Sequence, residues 1–423
     1  MAMTMAEKVL ARASGRDAVS AGDYVTARAD RVMAHEAWTI CALRLVKLGV
    51  ERVFDPDKVI VILDHYFPAP TEQMARGHAI ARDLVERFGI RHFLGHAGVC
   101  HQVLTERGHI LPGHLVFGTD SHTTTYGAVG AAGTGLGLTE ATYVLATGEI
   151  WLRVPPTVRF LLGGEAPAGI MSKDVALHIA GRFGTEVAQY RAVEFAGPAA
   201  RRMTVSSRLT LSNMGVELGA KFAFFEADEI TCAYLRKRSK EPVSFFGPDP
   251  GARYESFHEV DISRLEPQIA CPHNPGNAKP VSEIGRVRVH QAFLGSCTNA
   301  RLEDLAVAAK ILEGRKVHPG TRFLVTPASA QVFLDATRAG YTEIFLEAGA
   351  HLTTPGCGAC PGGHGGLLAP GEVCLSSTNR NFRGRMGSPE AEVYLGSPAS
   401  VAAAAVAGHI VDPRQFWKGS TIR

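Results

Sequence analysis

Three cysteines carry the most specific chemistry in this sequence. Cys357-Gly358-Ala359-Cys360 lies in the glycine-rich stretch TPGCGACPGGHGG, where missing side chains let backbone N–H groups approach a ligand, and Cys297 lies in GSCTN. A Cys-x-x-Cys pair alone is a weak signal, equally suited to half a zinc site or to two packed thiols. Adding Cys297 gives three thiolates. These can hold three irons of a 4Fe–4S cube and leave the fourth iron open, as a Lewis acid able to take a hydroxyl and a carboxylate. His364 keeps a Cys3His zinc site as an alternative. Cys41, Cys100, Cys232, Cys271 and Cys374 have no partners at ligand spacing and read as buried packing thiols.

A second set pairs acids with imidazoles. Asp64-His65 and Asp120-Ser121-His122 each place a carboxylate beside a histidine, and His101 follows a third glycine-rich turn at 95–98. A neighbouring carboxylate favours the imidazolium and fixes its tautomer, which suits proton delivery to a departing hydroxyl. A single histidine at a strand end is more often a packing or capping residue, but three such ends close together argue for function. Near the C-terminus Asn379-Arg380-Asn381-Phe382-Arg383-Gly384-Arg385 gathers three arginines. Guanidinium forks grip carboxylates at two points, as a dicarboxylate would require; the competing reading is a solvated basic loop. Gly384 suggests close approach of the backbone there.

The elements that must present these residues alternate in type. Apolar runs at 59–63, 92–94 and 115–117 each end in the polar residues above, and residues 71–88 have helical periodicity. That order predicts an α/β fold with a parallel sheet, helices on both faces and ligands at the carboxyl ends of the strands. A second β/α series starts at 287, with strands at 289–294 and 322–325 and a strand-like run at 372–376. The Pro-, Lys- and Asp-rich stretch 235–280 reads as a connecting segment. With a softer break at Pro155-Pro156, this places domains at 1–155, 156–278 and 279–423. The stretch 126–141 offers Gly133 and Gly135 but Leu138 where G-x-G-x-x-G needs its last glycine, so it reads as a turn and a helix start capped by Thr139, with Glu140 in the first turn.

A chain of 423 residues fits two or three cores. Its net charge of +3 comes without a basic block, which gives no reason to expect nucleic acid or a membrane surface; small anions remain suitable partners. The N-terminus shows no signal-peptide pattern and no apolar run is long enough to span a bilayer, so a cytosolic location with reduced thiols is expected.

These segments together resemble the aconitase superfamily over nearly the whole chain, and within it the short large subunits of the isopropylmalate isomerase and homoaconitase type. The resemblance rests on DH at 64–65, GVCHQVL at 98–104, GTDSHTTTYGAVGA at 118–131, LSNMGVELGAK at 211–221, FLGSCTN at 293–299, TPGCGAC at 354–360 and NRNFRGRMG at 379–387. It implies three aconitase-like domains of parallel-sheet β/α layers around an iron–sulfur site, with the swivel domain carried by a separate small subunit in a heterodimer or heterotetramer. It further implies a 4Fe–4S cluster on Cys297, Cys357 and Cys360, with Asn213 and Asn379 near its sulfurs. His65, backed by Asp64, is then the acid, His101, Asp120, His122 and Glu217 surround the iron-bound water, Arg380 and Arg385 take substrate carboxylates, and His35 stands where aconitase has a substrate-contacting Gln. The implied activity is dehydration and rehydration of a small hydroxy-dicarboxylic acid, with isopropylmalate first and homocitrate, citraconate or dimethylmalate as alternatives. An apo-form RNA-binding role, which some aconitases adopt, and a zinc-stabilised structural role are the competing classes.

Overall fold

The computed structural model describes residues 2–417. The chain divides into two compact, interleaved units: one takes the residues up to His96, Cys100–Leu162 and Ala188–Val260, the other Ala97–Val99, Gly163–Val187 and everything from Asp261 onward.

The first unit holds a five-stranded parallel sheet in the order His92–Phe93, Val59–Val61, Arg31–Ala34, Leu115–Gly118, Ala132–Gly135. Strands Val59–Val61 and Leu115–Gly118 are wholly buried, as their apolar runs dictate. Helix Ala37–Lys47 buries Trp38, Cys41 and Leu45 in the core of this unit. Helix Glu72–Arg87 begins at Thr71, whose hydroxyl accepts from the Met74 N–H, matching the periodicity at 71–88. A four-stranded sheet, Phe222–Phe225, Ala192–Ala196, Thr157–Gly163 and Ser256–Asp261, completes the unit, together with a two-stranded antiparallel ribbon, Tyr24–Arg28 with Glu149–Arg153.

The second unit is built on seven strands: Ala278–Pro280, Gln268–Ala270, Glu392–Leu395, Val373–Ser376, Gln291–Leu294, Arg322–Val325 and His351–Leu352. The last five run parallel and the first two add an antiparallel edge. Helices Leu302–Leu312 and Pro398–Ala407 pack against one another in its core.

Several local expectations are corrected. Residues 126–141 are more than a turn leading to a helix, because Ala132–Gly135 is a full strand of the parallel sheet. A Cβ on Gly133 would sit 2.1 Å from the Thr123 carbonyl oxygen, so this glycine admits close packing that spacing alone does not reveal. The following helix, Leu138–Thr147, is capped by Gly137 without a side-chain bond rather than by Thr139. The supposed connecting segment contains strands Ser256–Asp261, Gln268–Ala270 and Ala278–Pro280; the first and last are sheet edges with solvent-facing residues that polar composition hid, and Gln268–Ala270 is a buried three-residue strand too short to show a pattern. Of the five packing thiols, four are buried and Cys271 is half-buried. No helix among the described residues is long and apolar enough to cross a membrane.

Candidate active site

In the first unit the chemistry follows the carboxyl ends of one sheet. Its strand order starts at the centre with Arg31–Ala34, runs outward through Val59–Val61 and His92–Phe93, then returns to Leu115–Gly118 on the other side. The reversal falls between the first and fourth strands, where a doubly wound sheet opens its crevice. His35 and Glu36 follow the first strand, Asp64 and His65 the second, His101 the third, and Asp120 and His122 the fourth. Across the reversal the His35 N–H donates to Thr119 Oγ1 at 3.1 Å, and its Nε2 lies 3.1 Å from the Thr119 carbonyl. The Ala37 N–H donates to its Nδ1 at 3.2 Å. These partners fit the Nε2–H tautomer and lock the ring.

His65 is held by three carboxylates. Its Nδ1 lies 2.6 Å from Asp64 Oδ1 and 3.7 Å from Glu36 Oε2, and its Nε2 lies 3.5 Å from Asp120 Oδ2. The other Asp64 oxygen accepts the Cys100 N–H at 2.7 Å, at the start of helix Cys100–Glu106. Asp64 is 1% exposed, and its removal would strand the buried Cys100 N–H at about 1–3 kcal/mol, besides releasing the half-buried His65 ring. With Nδ1–H given to Asp64, Nε2 is the ring nitrogen left to exchange a proton.

Asp120 gathers the rest. Its Oδ1 lies 2.7 Å from His101 Nε2 and accepts the His122 N–H at 2.8 Å, capping the 3-10 turn Ser121–Val129. Burial opposes its charge, but bonds from His101, His122 and His65 hold its carboxyl well below the usual carboxylate range. His101 is pushed the other way, toward the neutral ring, because burial outweighs the pull of Asp120. The two directions agree on a carboxylate accepting from a neutral Nε2–H. His122 Nε2 lies 2.8 Å from Glu217 Oε1, and Asn213 donates to Thr125 Oγ1 at 2.8 Å. Both partners come from helix Val205–Met214 and its 3-10 extension Gly215–Leu218, which pack on Ser121–Val129.

Glu36 was not singled out from the sequence. Its Oε1 accepts the N–H groups of His65 and Tyr66, both at 3.0 Å, and so shapes the turn that carries the Asp64–His65 pair. Burial works against its charge, yet His35 and His78, together with the charge of His65, depress its pKa strongly. The signal was available: an acid beside His35 at the head of an apolar helical run.

The second unit repeats the arrangement with sulfur. Cys297 follows strand Gln291–Leu294, Cys357 and Cys360 follow His351–Leu352, and Asn379 and Arg380 follow Val373–Ser376. The three cysteines form no disulfide, and each is 6–7% exposed. The Asn379 side-chain amide donates to Cys297 Sγ at 3.3 Å, while its oxygen lies 3.8 Å from Cys360 Sγ. Among the described residues, the sulfurs of Cys297, Cys357 and Cys360 do not appear as a group with all ligand atoms within 4.8 Å of one another, the convergence a lone ion would need. Gly362 has φ +72°, and a Cβ there would lie 2.5 Å from the Arg385 carbonyl oxygen, so the cysteine loop rests against the arginine loop. Arg380 and Arg385 are half-buried, whereas Arg383 is exposed. Gly384 is corrected: the nearest atoms to a Cβ there are 3.7 Å away, so the glycine serves its φ of +74° and not close packing.

Two buried cations also escaped the sequence reading. Arg301 donates to the carbonyls of Cys297 and Thr298, both at 2.7 Å, and the Lys173 ammonium donates to those of Ser377, at 3.2 Å, and Thr378.

Comparison with known proteins agrees with this geometry. The sequence matches the model of the aconitase family (aconitate hydratase) over residues 7–287 and 279–408. It is 52% identical to a probable 3-isopropylmalate dehydratase large subunit of Methanothermobacter thermautotrophicus, covering 98% of this chain and 99% of that protein. Identity is 49% to 3-isopropylmalate dehydratase large subunit 1 of Methanopyrus kandleri, with 98% and 100% coverage, and 43% to the large subunit from Aquifex aeolicus, with 100% and 99%. A match spanning both units, over the same strands that carry the thiols and the acid–imidazole pairs, settles the assignment: the chain belongs to the aconitase family.

Proposed function

We propose that this chain is the large catalytic subunit of a hydro-lyase that interconverts 2-isopropylmalate and 3-isopropylmalate by removal and return of water, a step of leucine biosynthesis. The observation that carries the chemistry is His65, an imidazole flanked by Asp64, Glu36 and Asp120 at the carboxyl end of a parallel sheet. The choice of substrate is supported by the relatives named above.

Cys297, Cys357 and Cys360 are the residues that would hold a 4Fe–4S cluster. The donor set fits: three buried cysteines outside any disulfide, two of them touched by one amide. Bound there, a cluster with three cysteine ligands supplies a Lewis-acidic iron for the substrate hydroxyl. The chain's own residues do the rest. His65 delivers its Nε2 proton to the departing hydroxyl and takes it back on rehydration, with Asp64 fixing the ring. His101, Asp120, His122 and Glu217 hold the water that leaves and returns. Arg380 and Arg385 grip the two carboxylates, His35 contacts substrate, and Asn213 and Asn379 steady the cluster environment. The base for the carbon-bound proton comes from a small subunit carrying the swivel domain. A reducing compartment such as the cytosol suits the free thiols.

The test is anaerobic reconstitution with iron and sulfide, then assay with and without the cognate small subunit on 2-isopropylmalate, homocitrate and citraconate. Conversion of 2-isopropylmalate that requires both iron and the partner is expected. Turnover of homocitrate or citraconate alone would overturn the substrate, and full activity of the lone chain would overturn the divided machinery.

A further inference from the structure

The strand ends that present Cys297 and Asn379 belong to neighbouring parallel strands, Gln291–Leu294 and Val373–Ser376. They are lashed together by side chains: the Ser377 hydroxyl accepts the Gly295 N–H at 3.1 Å and lies 3.2 Å from the Gly295 carbonyl, and the Asn379 amide reaches Cys297 Sγ. The loop between them is held in an unfavourable form. Ser296 and Ala300, on either side of Cys297–Asn299, have φ values of 86° and 83°, a region that side chains other than glycine rarely adopt and that persists only when surroundings enforce it.

Behind each end stands a buried cation. Lys173 is 0% and Arg301 4% exposed. A desolvated cation costs several kcal/mol unless it is hydrogen-bonded and compensated. Both side chains direct their donors to backbone carbonyls: Arg301 to residues 297 and 298, Lys173 to residues 377 and 378. The carbonyls chosen are those of a proposed ligand, its neighbour, and the two residues immediately before Asn379 and Arg380. Arg301 heads helix Leu302–Leu312 beside the buried Asp304, and Lys173 lies in the first turn of helix Ser172–Phe183, so each cation ties its helix to the turn it faces.

We propose that Lys173 and Arg301 are positioning residues, a pair of buried cationic brackets that fix the turns carrying Cys297 and Asn379–Arg380. This rests on the reading of Cys297, Cys357 and Cys360 as cluster ligands. By holding the carbonyls, Arg301 keeps the strained loop in the form that aims the Cys297 sulfur. Lys173 keeps Asn379 on the sulfurs and sets where the Arg380 guanidinium begins.

The experiment compares wild type, Lys173→Met, Lys173→Arg and Arg301→Met, each reconstituted with iron and sulfide and paired with the small subunit. Readouts are iron and sulfide per chain, the rate of iron release in air, the electron paramagnetic resonance spectrum of the oxidised cluster, and KM and kcat. Loss of a residue supporting a metal ligand typically weakens metal retention or activity about 10- to 100-fold. Lys173→Met is therefore expected to raise KM about tenfold with a smaller change in kcat, and Arg301→Met to speed iron release about tenfold and alter the spectrum. Lys173→Arg, which keeps charge and donors, should recover part of the KM. Should Lys173→Met fail to fold, Lys173→Gln is measured the same way. Folded variants with wild-type KM, iron retention and spectrum would overturn the proposal, even if they melt earlier. Wild type that binds no cluster would instead sink the ligand reading.

Discussion

The two units wind their parallel strands alike and fill the same positions with different chemistry. In each, the first strand is central, the second and third lie to one side, and the fourth and fifth to the other. The first strand leads to His35 and Glu36 in one unit and to Cys297 in the other; the third to His101 or to Cys357 and Cys360; the fourth to Asp120 and His122 or to Asn379 and Arg380. Topology decides where reactive residues gather, and residue type decides what they do. Support differs as well. The acid–imidazole residues are held by one another's side chains, so each partner also tunes its neighbour's protonation. The thiol loops are held through their backbone by Lys173 and Arg301.

This contrast is sharpest for His65. Replacing it with Asn keeps a donor for Asp64 but removes the transferable proton, and should lower kcat about 10²- to 10⁴-fold with iron content unchanged. A fall of less than tenfold would place the acid elsewhere. On the thiol side, Arg380→Lys keeps charge but loses the fork, so KM for the dicarboxylate should rise about ten- to a hundredfold with the cluster intact. An unchanged KM would return this loop to the solvated reading. The smallest effect concerns stability. Asp120 has its pKa lowered by folding, so it contributes stability above the usual carboxylate pKa that is lost as pH falls through that value toward the folded one. Asp120→Asn, less stable at neutral pH, should therefore lose about 1 kcal/mol less than wild type between pH 5 and 3, read from urea midpoints. Parallel acid curves for the two proteins would show that Asp120 is not specially held.

The acid–imidazole pairs and the cysteines were legible because reactive side chains break apolar runs at strand ends, a pattern visible along the chain. Glu36, Lys173 and Arg301 were not. Glu36 and Lys173 act through backbone groups distant in sequence, Lys173 on residues more than 200 positions away, and no local spacing encodes such a partner; Arg301 reaches carbonyls only three and four positions back, but nothing in its residue type shows that it is buried there. The strand Ala132–Gly135 was missed for a related reason: small residues carry no alternation, and only packing against Thr123 and Asp120 explains them.

The interleaving of the units bears on how the protein is made. Glu217 lies 95 residues after the histidine it holds, and Asn379 lies 82 residues after Cys297. At synthesis rates of roughly 5–20 residues per second, His122 and Cys297 wait several seconds or longer for these partners to leave the ribosome. Neither unit can close from one continuous stretch, since Gly163–Val187 belongs to the later one and Ala188–Val260 to the earlier. The sulfur-bearing turns are among the last to be finished. During that interval Cys297 emerges before the amide that will shield it, which makes the nascent chain, more than the folded protein, the form most exposed to oxidants.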